Sequence, residues 1–269
     1  GPRNAPKGVV IVAIDDFSLQ QAANADLSRD PLLQNLNQWP WPRRVHVKVL
    51  ERLFEAGASA VGFDLLFEAP SSHGTDDDAA FAGALRRYRD RVALGVQVLS
   101  GRGPVASMSL LDLTPALQPA DQSLNRGLLN GSPDPDGVIR RRPGHSAAEM
   151  RQHLGSSVPD GLAKTLLELA NADINLDDKL LDLLDPYGPP GTIPTISIWE
   201  LLDPNAFLTI KKSGVLTDAT VLVGPTAAVF QDLHPAVFSG AQGMPGVELH
   251  ATEVANRLED RSLHWIPAP

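Results

Sequence analysis

Three aspartates and two histidines are the residues of this chain best placed to do chemistry. Asp15 ends an apolar run, Asp64 lies inside a second, and Asp232 sits in a loop after a third. If the runs are strands of an open α/β sheet, ligands bind in the crevice outside their carboxyl ends. Acids converging there would hold a cation or a polar ligand, and one of them would serve as a base. Asp16, next to Asp15, joins the same group of candidates. The bland alternative is the commoner use of such aspartates: Asp15 caps a helix, Asp64 accepts backbone hydrogen bonds and Asp232 orders its loop. His46 and His250 fall at helical spacing on the packed side of their segments. A buried neutral imidazole with one hydrogen-bond partner is the usual outcome there, with catalytic or metal roles second. Trp41 and Arg43, with Trp39, would form an aromatic and cationic rim for a ligand, or anchor the start of a helix.

Composition removes other chemistries. The chain of 269 residues has no cysteine, which excludes disulfides, thiolate zinc sites, iron–sulfur ligation and cysteine nucleophiles. Its net charge of −9, with no cluster of Lys and Arg against it, makes nucleic acid and anionic lipid poor partners. There is no phosphate loop, no dinucleotide fingerprint, no nucleophile elbow and no zinc-protease motif. Gly240, Gly243 and Gly246 are evenly spaced but do not directly follow a strand. Ser132 to Gly137 resembles the front of a calcium loop, yet it opens on Ser, and its twelfth position is Pro143 where a bidentate Glu belongs. Asn130-Gly131-Ser132 is formally a glycosylation sequon. No cofactor is expected.

The elements that must position these residues are legible from periodicity. Val9 to Ile14, Ala60 to Phe67, Val92 to Leu99 and Thr220 to Gly224 are continuous apolar runs of the kind buried on both faces of a sheet. After Trp39-Pro40-Trp41-Pro42, helical spacing places Val49, Leu50, Leu53 and Phe54 on one face, and Gly57 ends the helix. The order strand, helix, strand predicts that the first two strands form a parallel pair with a right-handed crossover. Ser71 to Asp78 reads as a loop whose acids favour the start of a following helix. Further helices are predicted over Pro159–Asn171, Ser197–Leu202 and Val247–Leu258, and short strands over Val138–Arg140 and Leu180–Leu184. Asn24 to Gln38 reads as an irregular loop, and 101–125 carries too little pattern to assign. The fold expected is α/β: a mainly parallel or mixed sheet, helices on both faces, and irregular loop insertions. Gly1-Pro2 reads as a tag scar and 3–269 as one domain, whose abrupt finish at Trp265 to Pro269 suggests a piece of something longer. The longest aliphatic run, Val9 to Ile14, is too short to cross a bilayer.

Four motifs, in order, carry a family resemblance. They are Ile14-Asp15-Asp16-Phe17-Ser18; Trp39-Pro40-Trp41-Pro42-Arg43 through His46 to Gly57 and Phe63-Asp64; Pro135-Asp136-Gly137-Val138-Ile139-Arg140-Arg141; and Met244 to Ala251. Pro194-Thr195-Ile196-Ser197 and Val223 to Ala228 with Asp232 also fit. In these the chain resembles the extracellular sensory domains of the second CHASE type. It departs at Val47, where the family usually has Ala, and in the long loop from Asn24 to Gln38. The resemblance implies the extracytoplasmic part of a bacterial membrane receptor, set between membrane helices of the same protein. The output it implies is an adenylate or guanylate cyclase or a protein kinase.

Three functions therefore compete. The leading one is a non-catalytic sensor, in a homodimer, that answers a small-molecule or ionic signal by shifting between two arrangements. The second is a hydrolase or metal enzyme using Asp15, Asp64, Asp232 and His250, which requires those side chains within about 2.0–2.6 Å of a common centre. The third is a purely structural ectodomain that holds its output domains together.

Overall fold

A computed structural model of the chain describes residues 3–24, 32, 33, 36, 39–101, 107–118, 123–174, 176, 183–261 and 263. Its strands are β1 (Val9–Ile14), β2 (Ala60–Leu66), β3 (Val92–Ser100), β4 (Met108–Leu111), β5 (Asn125–Leu128), β6 (Thr195–Ser197), β7 (Thr220–Pro225), β8 (Leu233–His234) and β9 (Met244–Pro245). Its helices are α1 (Asp16–Asn24), α2 (Arg43–Glu55), α3 (Thr75–Arg87), α4 (Ala147–Leu154), α5 (Leu162–Leu169), α6 (Ile198–Leu202), α7 (Pro204–Ser213) and α8 (Gly246–Leu258). The first seven strands form one sheet in the order β4-β3-β2-β7-β1-β6, with β5 also paired to β3. Only β4 runs antiparallel within it. The α/β class and the helical cover read from periodicity are what the chain adopts.

The apolar runs are continuous because both sheet faces are covered. Along β1, Val10, Val12 and Ile14 enter a core with α2, α3 and α6, while Val9, Ile11 and Ala13 enter a second core with α5 and α8. The alternation of strand side chains thus feeds two cores from one six-residue segment. The first core holds Trp41, Phe63, Phe67 and Phe81.

Several expectations are corrected. β1 and β2 are parallel but not neighbours, because β7 inserts between them in register with both, Val9 and Ala60 each facing Thr220. All six residues of β7 are buried, so a central position suits it. The predicted strand over Val138–Arg140 reduces to a single bridge from Ile139 to Ala236. Arg140 is instead drawn to Asp134 and Asp136 at 3.0 and 2.7 Å, which closes the stretch on itself as a turn. Of Leu180–Leu184, only Leu183 bridges, to Arg141 and Leu263, while 180–182 lie outside the described residues. Helix α3 begins at Thr75, so the acids at 76–78 are its first turn rather than a loop. Most of 25–38 also lies outside the described residues. The weakly patterned 101–125 contains β4 and the first residue of β5, and α4 and α7 were not expected at all.

Candidate functional site

At the carboxyl ends of the central strands, a cavity of about 290 Å³ is lined by Asp64, Gln97, Asn130, Asp232, His234 and His250, among apolar neighbours. β2 presents Asp64, and α8 lays His250 over it with Nε2 4.0 Å from the Asp64 Oδ1. That approach depends on Gly224 of β7. A β-carbon there would stand 2.8 Å from Val247 Cβ and 3.0 Å from Asp64 Cβ, so glycine lets the first turn of α8 close on the strand ends. Asp232 comes from the loop before β8. The β8–β9 ladder pairs Leu233 with Pro245 and His234 with Met244, which ties this loop to the start of α8. Gly246 N donates to the Asp232 carbonyl at 3.1 Å, and a β-carbon on Gly246 would collide with the Asp232 carboxylate. His234 Nε2 lies 2.9 Å from Asp232 Oδ1.

The cavity holds buried polar atoms with nothing to bond. Asp64 Oδ2 and His250 Nδ1 are both buried and have no hydrogen-bond partner. Burial, reinforced by the nearby Asp232 charge, pushes the Asp64 carboxyl well above its ordinary range. Burial pulls His250 down to about 4, against the opposing charge of Asp232, so its imidazole is neutral near pH 7. Asn130 is more fully engaged. Its Oδ1 accepts from Val98 N at 2.7 Å and its Nδ2 donates to Val98 O at 2.8 Å, extending the pairing along β3 beyond β5. The nitrogen that a sequon would glycosylate is therefore tied into the sheet edge.

A second cavity, of about 240 Å³, contains Trp41, Arg43 and His46. Leu65 and Leu66 at the end of β2 border both cavities. Trp41 is buried and donates from Nε1 to Leu36 O at 2.8 Å. Arg43 lies over the Phe67 ring at 4.6 Å, donates from Nη2 to Ala69 O and pairs with Asp78 at 3.6 Å. His46 packs at 5.2–5.7 Å from Phe63, Phe67 and Phe81, and burial holds it down to about 3. Its helix is capped from a distance. Pro42 offers no side-chain oxygen, and Asp77 of α3 accepts from Arg43 N at 2.6 Å and Arg44 N at 3.1 Å.

The eight candidates thus divide. Asp64, Asp232 and His250 meet in one cavity, and Trp41, Arg43 and His46 meet in the other. Asp15 and Asp16 line neither. Asp15 accepts from Ser18 N at 2.8 Å and from Ser197 Oγ at 2.9 Å, capping α1 and tying β1 to β6, while Asp16 is exposed. The four-residue enzyme constellation is therefore incomplete, its first carboxylate spent on a cap. Among the described residues no group of three or more His, Cys, Asp or Glu is placed to hold a metal ion. His234, Gln97 and Asn130 were not nominated from sequence. The one available signal was the separation of Asp232 and His234 by two, which puts both side chains on one side of an extended segment.

The fold and these cavities describe an α/β module that carries polar recesses at its strand ends. The CHASE2 domain family matches residues 2–269, and the chain belongs to that family. CHASE2 domains are extracellular sensory domains of signalling receptors and are not catalytic. No curated protein and no solved structure matches the chain. Among the described residues no helix is long and apolar enough to cross a membrane.

Proposed function

We propose that this domain is the signal input of a bacterial transmembrane receptor with a cyclase or protein-kinase output, and that the Asp64 cavity receives the signal. The supporting observation is the path from that cavity to the two ends of the fold. The first turns of α8 line the cavity through Gly246, Leu249 and His250. Its last turn holds Asp185, whose N–H donates to Asn256 Oδ1 at 2.8 Å and whose carbonyl accepts from Asn256 Nδ2 at 3.0 Å. The Asp185 carboxylate in turn pairs with Arg3 and, at 2.7 Å, with Arg261. Arg3 and Arg261 are thereby held side by side, with one helix of 13 residues, about 20 Å long, between them and the cavity. A ligand that favours one position of α8 would bias both ends together, by as much as its affinities for the two positions differ. Attachment of the ends to membrane helices, and pairing of two copies, belong to this proposal.

The test uses the full-length receptor in membranes. Removing the domain is expected to change cyclase or kinase activity relative to the intact protein. Unchanged activity, or turnover of a substrate by the domain itself, would overturn the reading.

A further inference from the structure

The site reading above leaves the chemistry of the signal open, and the lining of the cavity narrows it. We infer that the Asp64 cavity takes a small organic cation, an alkylammonium group seated between the Asp64 and Asp232 carboxyl groups. This inference rests on the cavity being the input site.

Four observations carry it. The polar side chains of the cavity are two carboxyl groups, two imidazoles and two amides, and no Lys or Arg is among the lining residues. A bound anion would meet no cationic side chain, while an ammonium would meet two acids. Next, the Asp64 Oδ2 is buried and unpartnered at the cavity wall, an acceptor with no donor of its own. Leaving such an atom unpaired is costly, so a ligand bearing N–H groups would supply the donor that it lacks. Finally, the feature that would favour an anion is already occupied. The positive end of α8 faces the Asp232 carboxylate, which lies against Gly246. Size points the same way: about 290 Å³ suits a short aliphatic amine more than a nucleotide or a peptide.

The titratable groups facing the site set its pH dependence. Asp64 comes from β2, Asp232 and His234 from the loop and strand below α8, and His250 from α8 itself. β3, β7 and the segment at 129–131 contribute only Gln97, Pro225, Leu129, Asn130 and Gly131, none of which titrates. Asp64 holds its proton to higher pH than a free carboxyl, and protonating it removes a charge that a cation would meet, so affinity should fall as pH falls.

The experiment is calorimetric titration of the 269-residue chain with putrescine, using butanediol and succinate as neutral and anionic controls. Putrescine should bind, the controls should not, and binding should weaken from pH 8 to pH 5. Asp64→Asn and Asp232→Asn should each weaken it about tenfold or more. Should either variant fail to fold, the imidazole proton resonances of His234 and His250 in the unaltered protein give the same answer, shifting with putrescine while those of His46 stay fixed. Absence of putrescine binding, binding untouched by both variants, or preference for succinate would overturn the inference. None of these results bears on whether the domain governs receptor output, which is read separately on the receptor.

Discussion

Two buried histidines and one buried aspartate make opposite contributions to stability as pH changes. His46 and His250 titrate at about 3 and about 4 in the fold and at 6.5 when free, so below pH 6.5 the unfolded chain binds more protons. Stability that is intact above pH 6.5 is therefore lost as the pH falls, by about 2 kcal/mol for each at pH 5. His46→Phe, which suits its aromatic surroundings, is expected to remove its share of this slope in urea unfolding at pH 7 and pH 5. Asp64 runs the other way. Its folded carboxyl holds a proton to higher pH than the free one, so the fold is penalised once the pH rises above the ordinary carboxylate range. Asp64→Asn should raise the thermal midpoint at pH 7, and a lowered midpoint would show that the carboxylate is stabilised by groups not seen around it. That His46 and His250 are buried was legible from helical spacing alone. Their surroundings were not, because periodicity names the face of a helix and not what lies opposite.

At the scale of elements, the site depends on how closely α8 approaches β7 and β2. Gly224→Ala would place a methyl group against Val247 Cβ and Asp64 Cβ, atoms next to the backbone that cannot rotate away. A destabilisation of about 1–3 kcal/mol is expected, read as a lower urea midpoint with unchanged slope. Helix capping shows how far local reasoning reaches. For α7, Asp203 caps Asn205 and Ala206, Pro204 follows as the first residue, and Gly214 closes the helix at φ 72°. Each of those signals lies within two residues of the helix it bounds. For α2 the prolines before it mark the start locally, but its cap does not, since the cap is Asp77, 34 residues beyond Arg43.

For the molecule as a whole, Asp185 is the point where Arg3, Arg261 and α8 meet. Asp185→Asn keeps the backbone bonds to Asn256 and loses both arginine pairs. Because those arginines are partly exposed, the global cost is expected to be about 1 kcal/mol or less. Local opening should change more. Amide exchange at 3–5 and 256–261 should accelerate while β1 and β7 keep their protection, and equal acceleration everywhere would show that the junction is not a separate unit.

What the sequence by itself determined is the class of fold and the acids at the strand tips. An apolar run of β-branched residues is a local property, and so is a helix whose packed face repeats. The tertiary structure alone decided which strands are neighbours and hence which acids meet. Asp15 follows β1 and Asp64 lies near the end of β2, strands that look adjacent along the chain, yet β7 separates them, and one aspartate caps a helix while the other lines a cavity. The reason is physical: local periodicity measures how each segment will be buried, whereas strand order follows from satisfying every buried face at once.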